Sequence, residues 1–239
     1  MDSFSIAQVE QIEEHATHGA VTVLPHTAVC AAERTDTYYM VRRLLDLGVG
    51  FVALVVTLPI MLLITALIRL DSPGPALFRQ RRVGKNGRLF TFYKFRTMWC
   101  DARERFPDLY TYQYSEREIQ VMTFKLRDDP RLTRFGSLLR KTSLDELPNF
   151  INVVLGTMAL VGPRPEIPQM VPYYTDTQLM KFSVKPGVTG LAQISGRGNL
   201  PFQATIDADL EYCRCRSLRY DIGIFLATIK SIVIRNGAF

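Results

Sequence analysis

The sequence predicts an α+β protein, mainly helical, in which one membrane-embedded helix carries a small body with amphipathic helices at the membrane interface. Three observations predict it. Residues 47–68 form a run of 22 residues without a charge, close to the length that crosses a hydrocarbon core about 30 Å thick. From residue 73 onward the hydrophobic runs are short and broken by Gly and Pro. Helix-like stretches recur near 132–141, 145–155 and 203–216, and again from about Leu218.

The elements follow in chain order. Residues 1–38 are mixed and polar and lack a basic segment followed by an apolar run, so they read as a flexible extension and not as a secretory signal. Residues 39–72 hold the apolar helix. Pro59 stands in its middle and removes a backbone hydrogen bond, which predicts a kink. Cations lie on both flanks, Arg42 and Arg43 before and Arg69, Arg79, Arg81 and Arg82 after. Positive charge marks the cytoplasmic side, so a helix bent at Pro59 that leaves by the face it entered suits both flanks. A spanning helix that tolerates Pro stays open as well. Residues 73–239 make the body. In its last helix Ile222, Phe225, Leu226, Ile229 and Val233 share one face, with Asp221, Lys230 and Arg235 elsewhere. Packing of that face on the core is expected ahead of a membrane-interface role.

Composition narrows the chemistry. The 29 Lys+Arg against 23 Asp+Glu leave a charge of +6, which suits nucleic acid, an anionic membrane or a phosphorylated substrate alike. Cys30, Cys100, Cys213 and Cys215 are too few and scattered for a disulfide framework and read as reduced thiols. The histidines, His15, His18 and His26, all precede residue 39. The body therefore has no Ser-His or Cys-His pair and no His-ligated metal. Its chemistry must come from carboxylates, hydroxyls or Lys.

Between Asp71 and Asp101 stand seven cations and no acid. Those at 79–88 read as a membrane-surface patch, whereas Lys94 and Arg96, among apolar neighbours, read as site residues. Ser143 and Glu146 have the spacing of a helix capping box; Pro148 offers an alternative helix start. Either way Asp145 and Glu146 lie near a helix N-terminus and near Arg140 and Lys141, which favours ionised carboxylates. An ionised Asp can attack phosphorus, and a neighbouring Glu can hold Mg2+ with the substrate's phosphate oxygens. Arg164, in a Pro-flanked turn, offers a rigid fork for phosphate. Gly187, Gly190, Gly196 and Gly198, with Lys185 and Arg197, could let backbone approach a phosphate, although the segment is neither a P-loop nor G-x-G-x-x-G.

Read in order, RRLLDL (42–47), the Pro-broken apolar helix, YKFRTM (93–98), DDPRLTRFGSLLRKTSLDELPNFINV (128–153), VGPRPE (161–166), KPGVTGLAQISGR (185–197) and DLEY (209–212) resemble the monotopic phosphoglycosyl transferases, the bacterial sugar transferase family, almost continuously from 40 to 235. The resemblance implies a re-entrant helix at the bacterial inner membrane, in contact with phospholipid, and a catalytic domain on the cytoplasmic face. It implies that Asp145 displaces UMP from a UDP-sugar and carries the phosphosugar to a polyprenyl phosphate. Glu146 would bind Mg2+, and Arg140, Arg164 and Arg197 would hold phosphates with Asp209 nearby. A homodimer is compatible with it, and nucleic acid is not expected beside an apolar membrane segment. Three departures stand out: Leu58, preceded by Thr57, where the family has Ser before the proline; Thr157 and Ala159 where it reads Asp and Ser; and Asn199 one place later than usual. Two competing readings are a D-x-D glycosyltransferase on Asp207 and Asp209, releasing UDP, and an inactive membrane scaffold.

Overall fold

A computed structural model describes residues 34–123, 126, 128–196 and 200–233. Residues 1–33, Arg197 and Asn199 thus lie outside the described residues, and the expectations placed on them with them.

Helix α1 is Asp36–Asp71, 36 residues long, about 54 Å at 1.5 Å per residue. Thr35 caps its start by accepting from the Tyr38 N–H, and the Ser72 N–H closes its end on the Ile68 carbonyl. Pro59 lies inside it without ending it. Thr57 Oγ1 donates to the Ala53 carbonyl at 2.7 Å, the back-bond that a Thr beside the proline can supply. Among the described residues this helix is the only one long and apolar enough to cross a membrane.

Both ends of α1 are fixed to the body while its middle is bare. At the start, Arg42 donates to the Val161 carbonyl and the Tyr212 hydroxyl and pairs with Asp221 at 3.3 Å. Arg43 donates to the carbonyls of Val153 and Val154, and the Asp46 carboxylate accepts from the Leu160 N–H. Gly50 is where the helix touches most closely: a Cβ there would stand 2.9 Å from Val153 Cγ1. At the far end Ile64 and Ile68 are buried with Ala76, Phe95 and Leu139. Between the two, Phe51, Val52, Val55, Val56, Leu62 and Leu63 are exposed, a larger apolar belt than a surface in water tolerates.

The body starts with an antiparallel hairpin of β1 (Leu77–Val83) and β2 (Leu89–Phe95), with Arg82 opposite Phe90 and Phe78 opposite Lys94. Side chains alternate along a strand, so Lys94 follows Phe90 and Phe92 on the core-facing side. Short helices α2 (Ala102–Arg105) and α3 (Glu116–Val121) come next, the latter with a reciprocal Ser115–Glu118 capping box. Helix α4 (Arg134–Thr142) begins at Thr133, whose hydroxyl accepts from the Gly136 N–H, and ends at Ser143 with φ 56°. A 3-10 turn (Leu144–Glu146) leads into α5 (Asn149–Leu155), which starts after Pro148 and stops at Gly156 with φ 80°. Strands β3 (Ala159–Val161) and β4 (Gly187–Thr189) pair in parallel. Helices α6 (Leu191–Gly196), α7 (Phe202–Cys215) and α8 (Leu218–Val233) complete the body.

One open alternative is decided and one expectation is corrected. The helix starts after Pro148, and the capping box at Ser143 does not form: its left-handed backbone ends α4, its side chain caps nothing, and Glu146 turns elsewhere. The face that α8 buries is also different. Asp221 and Ile224 turn inward and Phe225 packs partly on the core, as expected of it, while Ile222, Leu226 and Ile229 are exposed. The cause is Asp221, which accepts from the Tyr212 hydroxyl at 2.7 Å and pairs with Arg42. A neutralised carboxylate is thereby drawn into the core, and the helix turns Ile222, Leu226 and Ile229 outward.

Candidate active site

The 3-10 turn between α4 and α5 presents adjacent carboxylates. Asp145 is buried, at 7 % exposure. Glu146, half-buried, points Oε1 at Arg164 Nη1, 3.8 Å away. Two cations of the hairpin face them. Burial pushes the Lys94 ammonium down to about 8; the carboxylates of Asp145 and Glu146 pull it up, and Arg82 and Arg140 push it further down. Burial likewise lowers Arg82 to about 10, against the pull of Glu166, with Arg164 adding repulsion. Arg82 is fixed by donating to the Pro165 carbonyl at 3.1 Å and by lying 5.4 Å from the Phe92 ring. Glu146, Arg82, Arg164, Asn149 and Gln193 line one narrow cleft. Asn149 Oδ1 and Gln193 Oε1 are buried acceptors without a hydrogen-bond partner among the described residues. A wider open groove of about 380 Å³ between α6 and α8, lined by Leu191, Ile194, Tyr220 and Ile224, has no carboxylate and no comparable chemistry.

The surroundings hold these groups in place. Asn152 on α5 accepts from the Tyr93 N–H at 3.1 Å and donates to the Thr91 carbonyl at 2.7 Å, clamping β2, and so Lys94, to α5. Thr157 accepts from the same amide at 3.1 Å, so the departure at this position is absorbed in the clamp. Asp129 receives Arg131 at 2.8 and 2.9 Å and Arg140 at 2.9 Å. Burial would raise its carboxyl, but these hydrogen bonds hold it at about 2. The Arg164 turn is set by close backbone packing. A Cβ on Gly187 would fall 2.1 Å from the Gly162 nitrogen. Gly162 N–H is already given to Thr189, and Gly187 N–H to Pro163. These glycines therefore serve backbone-to-backbone approach, and their N–H groups are not offered to a phosphate.

The expected site residues divide accordingly. Asp145, Glu146, Lys94 and Arg164 come together, with Arg140 behind them on Asp129. Arg96 does not join them. It is buried and donates to the carbonyls of Ser72 and Pro73, closing the end of α1. Asp209 is fully buried behind the Arg164 turn, 2.8 Å from Lys181 Nζ. Arg82, expected in the surface patch, belongs to the cleft; Arg79, Arg81, Lys85 and Arg88 are the exposed ones. Alternation along β1 carries the signal for Arg82, because it shares a face with Phe90 and Phe92. Asn149 and Gln193 carry no comparable signal, being uncharged amides recognisable only by burial without a partner.

Residues 37–235 match the family described as bacterial sugar transferase. A galactosyl transferase, CpsE, of Streptococcus agalactiae is 41% identical over 203 residues, 84% of this chain and 44% of that protein. An undecaprenyl-phosphate galactose phosphotransferase of Salmonella typhimurium is 37% identical over 208 residues, 87% of this chain and 43% of that protein. An exopolysaccharide production protein, ExoY, of Rhizobium meliloti is 36% identical over 200 residues and matches at nearly full length, 84% of this chain and 88% of that protein. The chain thus spans less than half the length of the first two relatives.

Proposed function

The chain belongs to the bacterial sugar transferase family, and from that premise we propose that it transfers a phosphosugar from a UDP-sugar to a polyprenyl phosphate such as undecaprenyl phosphate. The observation that carries this reading is the carboxylate pair Asp145–Glu146 facing Lys94, Arg82 and Arg164. Asp145 attacks the sugar-bearing phosphorus, the bond to UMP breaks, and UMP leaves with the electron pair. An oxygen of polyprenyl phosphate then attacks the same phosphorus, frees the Asp145 carboxylate and gives the polyprenyl diphosphosugar. Both attacking groups are anions at neutral pH, so no general base is needed. The protein's task is positioning and charge neutralisation.

Glu146 and the buried Asn149 Oδ1 are oxygen donors on one cleft, and no group of three metal-ligating side chains occurs among the described residues. That set fits Mg2+, which takes one or two carboxylates and completes its shell with phosphate oxygens and water. Bound by Glu146, the ion would neutralise the donor's diphosphate.

The lipid acceptor requires a site at the membrane. Both ends of α1 hold the same body around a bare apolar middle, which supports a re-entrant helix with the body on one face. The exposed stripe of α8 would lie in the same interface. In this reading the face is that of the cytoplasm, where a UDP-sugar is available. The D-x-D reading loses support from α7. Asp209 is sealed against Lys181 while Asp207 is exposed and accepts from Gln203, and helical residues two apart do not converge.

Intact mass of the membrane-held protein, incubated with Mg2+ and a panel of UDP-sugars without acceptor, tests the reading. A single phosphosugar adduct with release of UMP is expected; product formed with acceptor but never an adduct would remove Asp145 as a covalent carrier. A pH dependence follows from Lys94. Its lowered pKa means the cation is present below about 8 and lost as pH rises through it. Donor kcat/KM is expected to fall by about tenfold per pH unit above that point, and Lys94→Met to be slower at pH 7 but without the alkaline decline. A wild-type profile flat to pH 9.5 would contradict it.

A further inference from the structure

Behind the Arg164 turn lies a second set of charged groups, sealed from solvent. Lys181, Asp209 and Glu166 are each exposed by 2 % or less. Lys181 Nζ is 2.8 Å from Asp209 Oδ2 and donates to the Tyr174 hydroxyl at 3.3 Å. The Tyr174 hydroxyl donates to Glu166 Oε2 at 2.9 Å, while Glu166 Oε1 accepts from the Ile167 N–H at 3.0 Å. That same Oε1 is 4.0 Å from Arg82 Nη1. At the other end, Lys181 and the backbone N–H of Arg164 both favour the ionised Asp209 against its burial. The charges balance: Lys181 and Arg82 against Asp209 and Glu166.

Buried ion pairs are an inefficient way to stabilise a core, since apolar side chains of similar volume often do as well or better. What this network has, and an apolar core lacks, is a connection from Glu166, beside the Arg82 guanidinium, to Asp209, against the backbone of the Arg164 turn. We propose that Lys181 and Tyr174 are positioning residues, which hold Asp209 and Glu166 so that Arg164 and Arg82 stand in fixed relation to receive the diphosphate of the donor. The inference rests on the donor reading given above.

The physical reason lies at Glu166. Its two oxygens are occupied by the Tyr174 hydroxyl and the Ile167 N–H, and Arg82, at 4.0 Å, is left to the cleft. Without the hydroxyl, Oε2 becomes a buried acceptor lacking its donor, and Arg82, 4.0 Å from the other oxygen of the same carboxylate, is a charged donor within reach of it. The guanidinium would be drawn down from the cleft to the carboxylate. Lys181 acts one step earlier, by fixing the hydroxyl that makes this division.

Tyr174→Phe is the decisive variant because it keeps the ring in its contacts with Phe182 and Phe202 and leaves the Lys181–Asp209 pair intact. Binding of UDP by calorimetry and adduct formation against UDP-sugar concentration would be measured beside the wild type, with Tm recorded for both. The expected result is UDP Kd and UDP-sugar KM raised about tenfold, the scale of one hydrogen bond to a charged group, with kcat changed much less. Unaltered Kd and KM would overturn the proposal, whatever happens to Tm. The double variant Lys181→Met/Asp209→Leu removes one charge of each sign. If it keeps wild-type Kd and KM together with Tm, the pair only supports the fold and the proposal falls; wild-type Tm with weak UDP binding supports it. A wild type that neither binds UDP nor forms an adduct would overturn the donor reading itself.

Discussion

Asp145→Asn is expected to abolish the phosphosugar adduct and to lower turnover by about 10⁴-fold or more, the scale on which removal of a covalent nucleophile acts. The substitution is nearly isosteric, so the 3-10 turn between α4 and α5 should persist. What it removes is the anionic oxygen that bonds to phosphorus in the proposed reaction. It also removes one of the two carboxylates that hold Lys94 in its charged form, so the variant should lose Lys94 protonation at a lower pH than the wild type. UDP binding should survive below that pH, because Arg82 and Arg164 keep their supports on Pro165, Glu166 and the packed glycine turn. Intact mass, steady-state turnover and UDP calorimetry on one preparation separate these effects. An Asp145→Asn protein that still acquires the phosphosugar would place the nucleophile elsewhere; one that has lost both adduct and UDP binding would make Asp145 a structural residue.

The sequence was most informative where a function needs a residue type out of its usual place. Asp145, Glu146, Lys94 and Arg164 stand out because charged side chains occur among Leu, Phe and Pro, and the structure brings those four together. It misled where the decisive partner lies far along the chain. Ser143 and Glu146 have capping-box spacing, but the box that forms is Ser115–Glu118, whereas Glu146 answers to Arg164 from another loop. Arg96 looked like a ligand group because it is a buried cation; its partners are the carbonyls at the end of α1. On α8 the apolar periodicity placed Phe225 on the core but not Ile222, Leu226 and Ile229, since Asp221 is drawn inward by Arg42, distant by 179 positions in the chain. Local pattern reports an element's existence and its apolar face. Which buried charge finds a partner is a tertiary fact, and here it decides both the helix rotation and the membership of the site.

Glu146→Gln is the second large effect, expected to lower kcat by about 10²–10³-fold, the range seen when one group stabilising transition-state charge is removed. Its carboxylate has two relations that pull in different directions. Without donor it lies 3.8 Å from Arg164, a partly exposed pair whose attraction is modest. In the proposed reaction it would, with donor bound, be an oxygen ligand for Mg2+, and Arg164 would be needed by the phosphates. The glutamine keeps the shape but gives up the single charge on which both relations rest. In buffer without Mg2+, UDP should therefore bind the variant as tightly as the wild type or more tightly, because Arg164 is released to the phosphate. With Mg2+ the order should reverse, since the wild type gains an ion that the variant holds poorly. A Mg2+ titration of UDP affinity and of adduct rate on both proteins reads the two effects separately. If Mg2+ strengthens UDP binding equally in both, Glu146 is not the residue that holds the ion, and its place beside Asp145 is explained by the Arg164 pair alone.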